Sequence, residues 1–138
     1  MENALPRQIK PNETEKVTIN LGYVDLGRID LLVEEGFYTN RTDFIRSAIR
    51  AQLTSHSPEV GQLIERRTLE LGLRDVTRAD LEAARRAGEV LHIKVVGLAR
   101  LAHDITPELA LATIGSINVL GALQASPELR AALAHRIT

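Results

Sequence analysis

The chain has 138 residues, 44% of them hydrophobic and 25% charged, with seventeen basic residues against eighteen acidic ones. This is ordinary soluble composition, long enough for one medium domain or two small ones. It contains no cysteine, which excludes disulfides and thiolate metal sites, and its near-neutral charge excludes a surface coated in positive charge while leaving room for a local basic patch. The opening MENALPRQIKPNETEK has no apolar run, so no secretory signal is expected, and no stretch has the length of a transmembrane helix. A cytoplasmic location is the corresponding expectation. Residues 1–14, with two prolines and scattered charge, are expected to form a disordered arm. All four aromatic residues (Tyr23, Phe37, Tyr38 and Phe44) fall in the first third, a shift in composition that points to two modules.

In EKVTINLGY, residues 15–23, Val17, Ile19 and Leu21 alternate with Lys16, Thr18 and Asn20, the period-two pattern of a half-buried strand. Val24, Leu26, Ile29, Leu32 and Val33 then recur near helical spacing, with Asp25 as the expected cap and Gly36 as the stop. A second helix follows, with Thr39 as its expected N-cap and Phe44, Ile45, Ala48, Ile49 and Leu53 as its apolar stripe; TSHSP ends it.

The remainder is punctuated by Ser57-Pro58-Glu59, Thr106-Pro107-Glu108 and Ser126-Pro127-Glu128. Each places a capping hydroxyl before a proline at the first helical position, with a carboxylate where the helix dipole favours it. Thr77 to Asp80 resembles a capping box and starts a helix to about Ala87. Between helices, EVLHIKVVGL (Leu91, Ile93, Val95) and SINVLGALQA (Ile117, Val119, Leu123) read as strands joined by a connection long enough for a parallel crossover. Residues 58–138 therefore read as helix, helix, strand, helix, strand, helix, with no repeat of 20–50 residues evident.

One strand and two helices in about forty residues are too few to fold alone. Symmetry is the cheapest repair. The same strand of a second chain pairs antiparallel, Val17, Ile19 and Leu21 face a shared core with Phe44, Ile45 and Ile49, and Lys16, Thr18 and Asn20 face outward as a polar ribbon. A two-stranded ribbon fits the major groove of DNA, where Asn pairs with adenine, Lys reaches guanine and Thr serves either a base edge or a thymine methyl.

The segment KVTINLGYVDLGRIDLLVEEGFYTNRTDFIRSAIRAQL resembles the ribbon-helix-helix DNA-binding proteins of the Arc, MetJ and CopG type. The resemblance implies that alternate strand residues, here Lys16, Thr18 and Asn20, contact bases. It also implies that the start of the second helix, here Thr39, Asn40, Arg41 and Thr42, holds a phosphate. Exposed N–H donors, hydroxyls and an arginine at the positive end of a helix suit that role. Arg46 and Arg50 either flank DNA or are simply solvated. Charge in the segment is nearly balanced, so affinity per dimer is expected to be modest and dimers are expected to assemble side by side.

The expected fold class is α+β: an arm at 1–14, an intertwined β-α-α dimer module at 15–55, and a small α/β domain at 58–138 for oligomerisation or for response to an unidentified ligand or protein partner. The function that the resemblance implies is a bacterial or phage transcriptional repressor binding double-stranded DNA as a homodimer. An antitoxin and a plasmid-partition or DNA-transfer accessory protein are the alternatives. No cofactor or membrane partner is expected. His56, His92, His103 and His135 lack metal-ligand spacing, and no phosphate loop or nucleophile elbow points to an enzyme.

Overall fold

The computed structural model describes residues 13–138; the expected arm lies outside the described residues apart from Glu13 and Thr14. The chain divides into two compact units, with the boundary between Val60 and Gly61.

In the first unit, residues 15–22 are assigned to no strand. The segment has no ladder partner among the described residues, so the sequence-predicted β-ribbon is not formed by one chain. Helix α1 spans Tyr23–Glu34 and starts at Gly22 with no side-chain cap; Asp25, the expected cap, lies in the first turn. At the other end Gly36 (φ +85°) takes the left-handed position. Its N–H donates to the Val33 carbonyl (3.1 Å) and the Phe37 N–H to that of Leu32 (2.9 Å), a complete Schellman closure.

Helix α2 spans Arg41–Ser55, and Asn40 caps it rather than Thr39. The Asn40 side-chain oxygen accepts from the Asp43 N–H (2.8 Å), and the Asp43 carboxylate reaches back to the Thr39 N–H (2.9 Å). Asn is at least as good a cap as Thr, and this choice satisfies two helix-start donors at once. After a one-residue break at His56, α3 runs over Ser57–Arg67, so Ser57 opens this helix rather than preceding it. Thr68 closes it at φ +53°, an uncommon position for a β-branched residue.

The second unit has the order β1 (Glu70–Val76), α4 (Arg78–Ala87), β2 (Leu91–Leu101), α5 (Pro107–Thr113), β3 (Ile114–Gln124), α6 (Pro127–Leu133), then a 3₁₀ turn at Ala134–Arg136. The three strands form one parallel sheet in the order β1-β2-β3. The two strands and the crossover read from the sequence are present. The strand β1 is an addition: in ELGLRDV a glycine interrupts a short alternation flanked by charge, leaving little periodicity to detect.

No repeat is evident in the sequence, but the second unit repeats a strand–helix order in the structure. Each strand is followed by a capped helix, and Gly72, Gly97 and Gly121 fall in register across the sheet. All three have positive φ (+124°, +138° and +118°). Built onto Gly97, a Cβ would lie 2.1 Å from the Gly72 carbonyl oxygen; on Gly121 it would lie 2.1 Å from that of Gly97. Only glycine fits where backbones approach this closely.

The local cap chemistry holds at all three helices. Thr77, Thr106 and Ser126 accept from the N–H groups of Asp80 (3.1 Å), Leu109 (3.2 Å) and Leu129 (3.1 Å). Thr77 and Asp80 form the full reciprocal box.

The helices share one face of the sheet, where Leu81, Ile93, Val95, Ile114, Ile117, Leu129 and Leu133 are fully buried. Thr113, buried among them, donates its hydroxyl to the Leu109 carbonyl (2.7 Å). By strand alternation the other face carries Leu71, Val96 and Leu120 in one register row and Leu73, Leu98 and Ala122 in another.

Candidate nucleic-acid interface

The sequence places two groups of residues at the interface, and both lie in the first unit. Lys16, Thr18 and Asn20 are exposed on the segment that precedes α1. Their apolar neighbours are exposed as well: Val17 by 76%, Ile19 by 59% and Leu21 by 36%. A single chain therefore leaves both sides of this segment in water. Ile49, placed in the shared core, is also exposed, while Phe44 and Ile45 are half-buried. Phe37, which its size would assign to a core, is 70% exposed. The ring of Tyr38 stands edge-on to that of Phe44 at 5.0 Å. Ile29 is the one buried hydrophobic residue among those described in this unit.

The start of α2 differs from the expectation in its details. Thr39, Arg41 and Thr42 are exposed, as phosphate contacts must be. Asn40, however, spends its side-chain oxygen on the cap, and Asp43 already places a carboxylate at the Thr39 N–H. Arg41 does not point freely outward. Its guanidinium forms a two-pronged pair with Asp30 of α1, Nε to Oδ1 and Nη2 to Oδ2, both at 2.8 Å.

That hydrogen-bonded pair holds the Asp30 carboxyl below its usual range and pushes the Arg41 guanidinium further up. Both side chains are about half exposed, so the pair is screened and holds only weakly. Sequence reading missed it because the two residues are eleven apart and meet only once the helices fold back on each other. The signal that could have found it is an acidic residue on α1 followed, after a short connection, by a basic residue at the start of α2.

A family model matches residues 12–130, described as the ribbon-helix-helix transcriptional regulator family. The chain belongs to that family. Its members are transcriptional regulators that bind DNA, typically as dimers, and are generally not enzymes. The match runs through both units of this ribbon-helix-helix regulator, taking in the segment that precedes α1, both N-terminal helices and the strand–helix repeats as far as Arg130. No curated protein and no solved structure matches the chain.

Among the described residues no three His, Cys, Asp or Glu side chains cluster to hold a metal ion, and no helix is long and apolar enough to cross a membrane. The ring of His92 lies 2.8 Å from the Ser116 hydroxyl, and that of His56 lies 3.3 Å from the Gln52 amide.

Proposed function

We propose that this chain is a homodimeric repressor. Residues 15–55 form its DNA-binding and dimerisation module, and residues 58–138 form a second module that joins copies together. The observation that carries the reading is the alternation of exposed Val17, Ile19 and Leu21 with Lys16, Thr18 and Asn20, on a segment with no strand partner among the described residues, directly before two helices. Leaving those three apolar side chains in water forfeits roughly 1.5–3 kcal/mol each relative to burial. An antiparallel partner strand recovers this on one side and creates a base-reading ribbon on the other. Val17, Ile19, Leu21, Phe44, Ile45 and Ile49 then make the shared core.

Lys16, Thr18 and Asn20 contact bases in the major groove, and Thr39, Asn40, Arg41 and Thr42 contact the phosphate backbone. Arg41 reaches a phosphate by exchanging its carboxylate partner for it, a swap favoured by the exposure of the Asp30 pair. Repression follows from occupying a promoter, the chain's own among the candidates.

The test is binding of the full chain to DNA from upstream of its own gene, against random competitor DNA, at several salt concentrations and beside Asn20→Ala. Specific binding with a clear salt slope is expected. The variant should keep its mass and fold while losing roughly 1–3 kcal/mol of discrimination per contact. Full discrimination retained by Asn20→Ala would remove the ribbon from the reading.

A further inference from the structure

The two outer edges of the parallel sheet are unlike. The β3 edge is covered at both ends: Ile137 pairs parallel with Ile117, the Thr138 N–H donates to the Ile117 carbonyl (2.9 Å), and the Arg130 guanidinium donates to the Leu123 carbonyl. No strand or bridge covers the β1 edge among the described residues, and Leu71 on that strand is 71% exposed. A bare edge carrying exposed leucine is a template for another strand.

The residue order of β1 says which strand fits. The Val76 carbonyl accepts from the Ala102 N–H on the β2 side (3.0 Å). By the alternation of a parallel ladder, Glu70, Gly72, Arg74 and Val76 turn their peptide groups toward β2, and Leu71, Leu73 and Asp75 turn theirs outward.

We propose that β1 pairs antiparallel with β1 of a second copy, about a two-fold axis through Leu73, to make one continuous six-stranded sheet. In this register Leu73 meets Leu73 and Leu71 meets Asp75. All three outward-turned residues of each strand then face outward-turned residues of the other. Gly72 lies opposite Arg74. Glu70 lies diagonal to Arg74 of the second copy on the helix-bearing face, so opposite charges meet across the axis as they already do within the strand (3.2 Å). On the face opposite the helices Leu71 and Leu73 of the two copies lie side by side. A two-fold contact of this kind is closed and consumes the bare edge of both copies. The covered β3 edge is left outside it.

The absence of cysteine from the chain allows a direct test on the full-length protein. Leu73→Cys puts two sulfurs on the axis, where directly opposed residues have Cα atoms about 5.5 Å apart, within disulfide reach. Leu71→Cys puts them four residues out of register, roughly 13 Å apart, although it is the more exposed position. Under mild oxidation most Leu73→Cys chains should become disulfide-linked pairs on a non-reducing gel, at least tenfold more than Leu71→Cys alone. Mixing Leu71→Cys with Asp75→Cys should give the mixed pair, and this covers the case in which Leu73→Cys does not fold. No link in either arrangement, or equal linking by Leu71→Cys alone, overturns the proposal. The outcome is independent of DNA binding: a chain that binds no DNA can still link at Leu73, and the reverse also holds.

Discussion

Residues 61–138 close an aliphatic core within one chain, with Leu81, Ile93, Ile117 and Leu133 fully out of water. Residues 13–60 carry a comparable apolar periodicity, yet among them Ile29 is the one buried hydrophobic, and Val17, Ile19, Phe37 and Ile49 stand open. Apolar spacing specifies which face wants cover; it does not specify whose atoms provide it. In the second unit the cover comes from α4, α5 and α6 folding back on their own sheet. In the first, no such cover closes among the described residues, and the dimer proposed above would supply it.

The harshest way to break this contrast is Ile19→Asp. A charge on the face meant for the shared core should cost several kcal/mol and abolish dimer and DNA binding together, while the second unit keeps its sheet. Sedimentation with hydrogen exchange reads both halves at once. A monomer with residues 15–55 still protected would show that this unit needs no partner.

Gly97→Ala tests the second unit in the same spirit. A Cβ at 2.1 Å from the Gly72 carbonyl cannot be accommodated by a side-chain shift, so a loss above about 4 kcal/mol is expected in thermal melts. The first unit should be untouched. Small losses here would mean that the strands can slide.

Thr77→Ala is milder and sharpens the account of how local signals build the second unit. Loss of the hydroxyl cap should cost about 0.5–2 kcal/mol. The Asp80 carboxyl is held below its ordinary 3.8, first by the Thr77 backbone N–H and then by the Thr77 hydroxyl. A lowered folded value means that its contribution is present above pH 3.8 and lost as pH falls through the folded value. Melts between neutral and strongly acid pH should therefore converge for wild type and Asp80→Asn only below pH 3.8.

The smallest effect belongs to Asp30→Asn. Melting should barely move, because the partner pair is exposed. Freed of its carboxylate, Arg41 should bind DNA more tightly and steepen the salt slope. Unchanged DNA affinity would place Arg41 away from the backbone.

How much of this was legible in the sequence depends on how local the cause is. Thr77, Thr106 and Ser126 announced their helices because a cap is decided within four residues. The Gly36 stop was legible for the same reason. The cap of α2 slipped by one residue because Thr39 and Asn40 are both competent, and Asp43 decides between them by reaching back to Thr39. The strand β1 was hidden by Gly72, which has no side chain to mark a face and whose left-handed backbone position (φ +124°) shows only in the folded chain. The repeat was hidden because the loop from β2 to α5 is longer than its counterparts, while α5 runs into β3 with no loop at all. In the candidate site, the alternation of Lys16, Thr18 and Asn20 predicts a strand that the single chain does not form, and the grip of Asp30 on Arg41 depends on two helices meeting.

The row of Gly72, Gly97 and Gly121 has a consequence for how this chain can change over time. Loops, helix lengths and most core side chains of the three repeats have room to diverge, because each is accommodated by its own surroundings. Gly97 and Gly121 have none, since a new side chain there would collide with the main chain of the neighbouring repeat rather than with anything a second substitution could trim away, and Gly72 is held by its positive φ alone. They form a ruler set at intervals of 25 and 24 residues, against which duplications of this unit could be measured long after every other likeness between the copies has worn off.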